Sequence, residues 1–104
     1  RDFVFVDDNV RLTLKAFLND RANGRPMNIG SGKSISIFEL ADKIKKLIPG
    51  VKIVLKPPRR NGEIKYRTPD VSFMKKTLKD EPKIKTEEGL RKALEFLKDG
   101  KRFL

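Results

Sequence analysis

The sequence predicts a small α/β domain built of mixed layers, and three observations support this class. A β-branched and aromatic run opens the chain, and shorter apolar runs recur at residues 26–29 and 51–55. Between and after these runs, apolar residues are spaced as on one face of a helix. The resulting order, β-α-β-α-β-(β)-α-α, is typical of an α/β layer domain. The 104 residues are enough for one domain with a modest core.

The first two predicted elements are a strand and a helix. The run "DFVFV" at residues 2–6 predicts the strand, and Asp7 and Asp8 are candidates for the N-cap of the helix that follows. This helix is predicted to end near Asn19. Its predicted inner face, at positions i, i+4, i+7 and i+8, consists of Val10, Leu14, Phe17 and Leu18.

The stretch "MNIGSGKS" at residues 27–34 superficially resembles a phosphate-binding loop. The P-loop pattern requires a glycine five positions before the Gly-Lys pair, and Met27 stands at that position. Glycines in such a stretch also serve a tight turn that needs a positive φ. We therefore interpret Gly30–Ser34 as a turn between a short strand at 26–29 and the next helix, and Lys33 as a solvated turn residue.

The second half of the chain is predicted to contain three helices and one clear strand. Ser36 and Glu39 form a capping-box pattern for a helix that the "PG" at 49–50 ends. Residues 51–55 alternate as a strand, residues 57–63 ("PPRRNGE") form a basic loop, and residues 64–66 are a short extended piece. Asp70 is predicted to cap a brief helix through Leu78, and Thr86 to cap the last helix.

Composition excludes several kinds of chemistry. The chain has neither cysteine nor histidine, so disulfides, thiolate metal sites and Ser-His triads are excluded, and no metal site is predicted. Carboxylates, lysines and Tyr66 would have to perform any reaction, although Tyr66 is interpreted as a packing residue. No apolar run is long enough to span a membrane, and a cytoplasmic location is the default expectation.

The charge balance favours an anionic partner. There are 25 basic and 14 acidic residues, which gives a formal net charge of +11. Abundant Lys and Glu with little Met is also a composition typical of thermophiles. The chain opens with Arg1 directly before a strand-like run, so we expect it to be a piece of a longer protein.

Four motifs in register resemble a known family. The stretches "RDFVFVDD", "NIGSGKSISIFELADKI", "RRNGE" and "EEGLRKALEFL" are similar to the carboxy-terminal third of extended short-chain dehydrogenase/reductases. Within that family they resemble the NAD-dependent sugar-nucleotide epimerases and dehydratases, with the UDP-galactose 4-epimerases as the nearest type. The resemblance covers essentially all of the chain. It implies that residues 1–104 are a nucleotide-sugar-binding segment without the Rossmann domain.

The resemblance also implies which residues bind the substrate. The arginine that opens "RDF" and the arginine and acid of "R-x-G-E" contact the nucleotide in the family, and they match Arg1, Arg60 and Glu63. Arginine suits this role because its planar fork binds phosphate bidentately, and a carboxylate can accept hydrogen bonds from ribose hydroxyls. The helpers suggested by position in the same loop are Arg59, Asn61 and Gly62.

The family's catalytic and cofactor-binding motifs are missing from the sequence. No G-x-G-x-x-G fingerprint occurs, and Tyr66 is followed four residues later by Asp70 instead of the Lys that the family's Tyr-x-x-x-Lys pair requires. We therefore predict no catalytic residue in this chain. In the complete enzyme, which the resemblance implies to be a cytoplasmic homodimer, residues outside this chain would bind most of the NAD.

Two positions depart from the family pattern. Ser72-Phe73 stands where the family usually has Ser-Lys, and Leu78-Lys79-Asp80 stands where it often has Leu-Gly-Trp. The second change removes a core aromatic side chain. It predicts that the last two helices pack differently from the family pattern.

Two hypotheses of function follow from different classes. The first is the substrate-binding portion of a UDP-glucose/UDP-galactose 4-epimerase-like enzyme. The alternative is a standalone basic α/β module that binds nucleic acid, which the charge favours. Against the alternative, Phe3 and Phe5 share one strand face and Phe17 lies on an apolar stripe, so the aromatics are predicted to be interior and nucleic acid an improbable partner. The isolated chain is expected to expose apolar surface.

Overall fold

A computed structural model of the chain describes residues 1–57 and 64–100. Within these residues the regular elements are helical: α1 (Val6–Phe17), a 3-10 helix (Asp20–Ala22), α2 (Ile37–Leu47), α3 (Ser72–Leu78) and α4 (Thr86–Lys98). Helix α1 packs against the 3-10 helix and α3, and α2 packs against α4. The described chain is thus two helix pairs joined by irregular segments.

The predicted strands do not form a sheet in the described residues, so the α/β class is not confirmed. Residues 2–6, 26–29 and 51–55 carry no strand assignment, and residue 6 already belongs to α1. Alternating apolar residues specify an extended chain but not the neighbour that would satisfy its backbone N–H and C=O groups. Backbone pairing is found between Arg1 and Ile35, which exchange hydrogen bonds of 2.9 and 3.0 Å.

Helix α1 begins earlier than predicted, and its aspartates are not caps. Phe5 is the N-cap residue and offers no side-chain bond, while Asp7 and Asp8 lie in the first turn. Negative side chains there interact favourably with the positive end of the helix dipole. The predicted N-cap role of both residues is therefore wrong.

The buried face of α1 is also the opposite of the predicted one. Leu12 is fully buried, whereas the predicted inner residues are half or more exposed: Val10 51%, Leu14 56%, Phe17 80% and Leu18 80%. The helix has apolar residues on two sides, and helical spacing alone cannot tell which side the described chain covers. Because Phe17 is exposed, the interior-aromatic argument against nucleic acid is wrong for this residue.

A small core lies between α1 and α3. Its buried members are Leu12, Val71, Met74 and Leu78, with partly buried Ala16, Met27 and Ile29 packed against it. The radius of gyration is 16.3 Å, compared with about 13 Å for a compact domain of this length. The open arrangement explains why so few side chains are fully buried.

Helix α2 is the element that the sequence predicts best. Ser36 Oγ accepts from the Glu39 backbone N–H at 3.0 Å, and the Glu39 carboxylate accepts from the Ser36 N–H at 2.6 Å, which confirms the capping box. These hydrogen bonds lower the pKa of Glu39. The helical spacing predicts an inner face of Ile37, Leu40, Ala41, Ile44, Leu47 and Ile48. Leu40, Ala41, Ile44 and Leu47 are partly buried as predicted, whereas Ile37 is 61% exposed.

The last two helices begin near the predicted positions but with different caps. The Asp70 carboxylate accepts from the backbone N–H of Ser72 at 2.9 Å and from its hydroxyl at 2.5 Å, so it binds the first residue of α3, although the N-cap residue is Val71 and not Asp70 as predicted. These bonds lower the pKa of Asp70. Thr86 is the first residue of α4, and Lys85 before it makes no side-chain cap bond, so the predicted Thr86 cap is wrong.

The buried carboxylate of Asp8 ties α1 to the segment that enters α4. It accepts from the backbone N–H groups of Lys83 at 2.9 Å and Ile84 at 2.7 Å, and it pairs with Arg11 at 2.7 Å. Burial raises the pKa of Asp8, but the bonds from Arg11, Ile84 and Lys83 outweigh it, and the net pKa is lowered. A full set of donors thus compensates the buried charge.

Lys79 and Asp80 replace the Gly-Trp pair that the family often has, and they change how α3 ends. Lys79 adopts the left-handed conformation with φ 51°, where a glycine is unstrained. The Asp80 carboxylate pairs with Arg11 at 2.5 Å and Lys15 at 3.0 Å, and the bond from Lys15 is the main cause of its lowered pKa. Ion pairs to α1 therefore stand where the family often has an aromatic ring.

Asp8→Asn is expected to loosen the chain around residues 83–84. The asparagine amide keeps one acceptor oxygen, but its NH2 group faces N–H groups that are themselves donors. The free energy of unfolding should therefore fall by about 2–4 kcal/mol. Hydrogen exchange of the Lys83 and Ile84 amides should accelerate. The matched control is Asp7→Asn, which changes an exposed side chain that forms no hydrogen bond or ion pair among the described residues and should leave both amides protected.

The contribution of Asp8 should also depend on pH. Its folded pKa lies below the ordinary value of 3.8, so its stabilisation is complete above that value and is lost as pH falls through the folded pKa. Exchange protection measured in the wild type and in Asp8→Asn should converge in acid. Equal differences at pH 7 and pH 2 would contradict this assignment.

Lys79→Gly is expected to raise the free energy of unfolding by about 1 kcal/mol, because glycine adopts a positive φ without steric cost. Thermal unfolding measures the change. Lys79→Ala removes the same charge but keeps the Cβ, so it should give no comparable gain. A gain in both variants would mean that charge, and not backbone strain, is responsible.

Candidate functional site

A cleft of about 520 Å³ lies where the start of the chain meets two later segments. One wall is the start of the chain and the first turn of α1, a second is the stretch at residues 28–30, and the third is the stretch at residues 67–69. The lining residues are Arg1, Asp2, Val4, Asn9, Asn28, Ile29, Gly30, Arg67, Thr68 and Pro69.

Arg1 is held at this cleft by both its backbone and its side chain. Its backbone pairs with Ile35, and its guanidinium donates to the carbonyl oxygen of Lys65 at 3.5 Å. Arg67 lines the same cleft two residues further along. Two permanently charged arginines therefore line one cavity, which favours an anion that carries more than one charge.

The carboxylate of Asp2 is engaged by the glycine-rich turn. It accepts from the backbone N–H groups of Ser31 at 2.8 Å and Gly32 at 2.9 Å, and from the Ser31 hydroxyl at 2.6 Å. Such converging N–H groups can hold a phosphate, but here an internal carboxylate already occupies them. This contact supports the prediction that Gly30–Ser34 is a turn and not a phosphate-binding loop.

Close packing explains why glycines stand in this turn. A Cβ on Gly30 would lie 2.7 Å from Pro69 and 2.8 Å from the Asp2 carboxylate, and one on Gly32 would lie 2.9 Å from Val71. Gly32 also has a φ of 71°, which other residues adopt only with strain. The two glycines thus allow the cleft walls to approach each other.

Neutral polar side chains complete the cleft. Asn28 donates from its amide to the carbonyl oxygen of Asp70 at 3.1 Å, which fixes the second wall against the third. Asn9, on the exposed side of the first turn of α1, accepts from the Thr13 hydroxyl at 3.4 Å. Amide groups can both donate and accept, as recognition of hydroxyls requires.

The structure places only one of the predicted nucleotide-binding residues. Arg1 lies in the cleft, whereas Arg60 and Glu63 and the helpers Arg59, Asn61 and Gly62 lie outside the described residues. Sequence reasoning missed Arg67 and Asn28, and no motif marks either of them. Tyr66, predicted to pack, is 89% exposed, so that interpretation is wrong.

The chain is similar in sequence to proteins named as decarboxylases of UDP-linked uronic acids. The chain is 33% identical over 105 residues to a UDP-N-acetyl-alpha-D-glucosaminuronate decarboxylase of Bacillus cytotoxicus, covering 95% of this chain and 32% of that protein. It is 35% identical over 91 residues to UDP-glucuronic acid decarboxylase 6 of Arabidopsis thaliana, covering 86% of this chain and 26% of that protein. No protein-family model matches.

A solved structure is similar as well. The chain superposes on an epimerase from Methanothermobacter thermautotrophicus with a TM-score of 0.75 and 26% identity, over 99% of this chain and 33% of that one. The resemblance is confirmed. This chain corresponds to the carboxy-terminal part of an NAD-dependent sugar-nucleotide epimerase/dehydratase of the extended short-chain dehydrogenase/reductase family. It spans a third or less of the length of these relatives.

The glycine-rich turn of this epimerase/dehydratase segment does not fit the pyrophosphate of NAD. The turn at Gly30–Gly32 is closed by the Asp2 carboxylate, and a second anion there would be repelled. The sequence also lacks the fingerprint and the Tyr-x-x-x-Lys pair. No step that uses the cofactor is therefore assigned to these residues.

In residues 1–57 and 64–100, no group of three or more carboxylate side chains is placed to hold a metal ion. In the same part of the chain, no helix has the length and apolar character needed to cross a lipid bilayer.

Proposed function

We propose that this chain binds the nucleotide end of a UDP-sugar in an NAD-dependent enzyme of the epimerase and decarboxylase type. Arg1 and Arg67 would face the diphosphate, with Arg60 and Glu63 of the basic loop contacting the nucleotide. The observation that carries the proposal is the cleft that Arg1 and Arg67 both line, next to the segment that follows the "RRNGE" motif. The complete enzyme is proposed to be a cytoplasmic homodimer.

The charge of the cleft matches that of a nucleoside diphosphate. Two phosphates carry about two negative charges, and arginine forks bind phosphate oxygens in pairs. The Asp2 carboxylate would repel a phosphate if it were free, but its bonds to Ser31 and Gly32 hold it on the turn. Asn9 and Asn28 remain available for ribose or sugar hydroxyls.

This segment would supply binding energy and position, while the reaction occurs elsewhere. Holding the nucleotide firmly converts the encounter of sugar and cofactor into an intramolecular event. NAD supplies oxidation and reduction at a sugar carbon when it is bound to the complete enzyme. The residues described here would only orient the substrate and neutralise its phosphates.

The names of the relatives support a uridine nucleotide and suggest two reactions. Both relatives are named as decarboxylases of UDP-linked uronic acids, whereas the similar structure is named an epimerase. Epimerisation of a UDP-hexose is our first proposal, because the motifs most resemble those of UDP-galactose 4-epimerases. Decarboxylation of a UDP-uronic acid is the second, and the named relatives favour it.

Assays of the full-length protein with NAD decide between the two reactions. UDP-glucose should be converted to UDP-galactose if the first proposal holds, and UDP-glucuronic acid should release carbon dioxide if the second holds. Absence of both activities, together with tight salt-dependent binding to DNA or RNA in a filter assay, would contradict the enzyme proposal and favour the nucleic-acid module.

Neutralising Arg60 of the basic loop or Arg67 of the cleft should weaken substrate binding selectively. Arg60→Ala and Arg67→Gln are each expected to cost about 1.5–3 kcal/mol in UDP-sugar affinity, the range for a hydrogen bond to a charged group. Calorimetry on the full-length enzyme measures the loss, and NAD affinity should change little. Arg91→Gln, which removes an exposed charge from α4, is the control. Equal losses for NAD and UDP-sugar would show that these arginines do not mark the nucleotide site.

A further inference from the structure

A second cleft, of about 330 Å³, lies between the 3-10 helix and α3. We propose that it binds a compact polyphosphate, a ligand the size of a triphosphate. Its lining residues are Arg21, Arg25, Phe73, Lys76, Thr77 and Lys79. None of them lines the substrate cleft, so this proposal does not depend on the proposed function.

The cleft is lined by four cations and no carboxylate. Within the described residues, none of its arginines and lysines forms a salt bridge, whereas five other cations do: Arg11, Lys15, Lys43, Lys75 and Lys92. Asp20, the acid next to Arg21, accepts instead from the Asn23 side chain at 3.5 Å. Four like charges around one cavity repel each other, and a polyanion would relieve that repulsion.

The two walls of this cleft are held together by Asn19. Its side-chain amide donates to the carbonyl oxygen of Thr77 on α3 at 3.2 Å, and its oxygen accepts from the backbone N–H of Arg21 at 3.0 Å. One residue thus links the element that carries Arg21 to the helix that carries Lys76. The cations are therefore brought together before any ligand arrives, which reduces the entropy lost on binding.

Arg25 is oriented by an aromatic ring. Its guanidinium carbon lies 4.1 Å from the centre of the Phe73 ring. Stacking on a ring face leaves the N–H groups at the edge of the guanidinium plane free for an anion, which suits bidentate contact with a phosphate. Phe73 is also one of the departures from the family pattern, where a lysine is usual.

Lys79 contributes a cation at a strained position. Its φ of 51° favours glycine, and the family often has glycine there. A side chain kept in a conformation that costs free energy is a reason to look for a function. Here the strained residue places a fourth positive charge at the cleft, where glycine would place none.

Titration of the full-length protein with inorganic triphosphate tests the proposal. Saturating UDP is present so that the substrate cleft is filled, and the salt concentration is physiological. The double variant Arg25→Gln/Lys76→Gln should bind triphosphate at least tenfold more weakly than the wild type. The control Lys45→Gln/Lys46→Gln removes two exposed lysines from the last turn of α2 and should bind normally.

Two further variants separate weaker triphosphate binding at this cleft from a folding defect and from binding in the substrate cleft. Lys79→Gly, which relieves strain, should weaken triphosphate binding while raising the melting temperature. Arg67→Gln should leave triphosphate affinity unchanged.

Three results of these titrations would overturn the proposal, and competition with an oligonucleotide gives a fourth. They are equal losses in the two double variants, orthophosphate binding as tight as triphosphate, and a loss of triphosphate binding confined to Arg67→Gln. The first would indicate attraction by total charge, the second a site for a single phosphate, and the third binding in the substrate cleft. A single-stranded oligonucleotide that outcompetes triphosphate would instead assign the cleft to nucleic acid and would also overturn it.

Discussion

The described structure depends most on the buried carboxylate of Asp8. Helix α1 packs on α3, and α2 packs on α4, so the two pairs need a connection between them. Asp8 makes that connection by accepting the backbone N–H groups of residues 83 and 84, which lead directly into α4. Its partner Arg11 extends the connection to Asp80 and to the carbonyl oxygen of Glu81. With only a few buried apolar side chains, such a polar junction carries a larger share of the stability than it would in a compact domain.

A second aspartate, Asp2, links the start of the chain to the glycine-rich turn beside the cleft. Asp2 closes the glycine-rich turn at the edge of the cleft that Arg1 and Arg67 line, and the donors of Ser31 and Gly32 offset part of its negative charge there. The same principle distinguishes the cations of the chain. Arg11 and Lys15 form ion pairs that fasten helices together, whereas the cations that line the two clefts form no salt bridge within the described residues.

The features that the sequence predicted correctly are those set by contacts between residues close together along the chain. The Ser36–Glu39 capping box places α2, and Asp70 places the start of α3, because each depends on residues a few positions apart. The strands and the inner face of α1 were not predictable, because they depend on which distant segments are present to pair or pack. Of the candidate site, Arg1 followed from a family motif. Arg67 and Asn28 have no motif, and only the folded chain brings them to the same cleft.

The exposed apolar stripe of α1 follows from these same constraints. Val6, Val10 and Leu14 repeat at four-residue spacing and are each more than half exposed, whereas Asp8 and Leu12 on the other side are buried. A helix with two apolar sides is typical of one that is covered on both. The hydrogen bonds of Asp8 fix which side of α1 faces the described core. The opposite side of the helix, with Val6, Val10 and Leu14, is therefore exposed to solvent. A chain that spans a third or less of its relatives would be expected to show such a surface, because the residues that bury it in a longer protein need not lie within the segment.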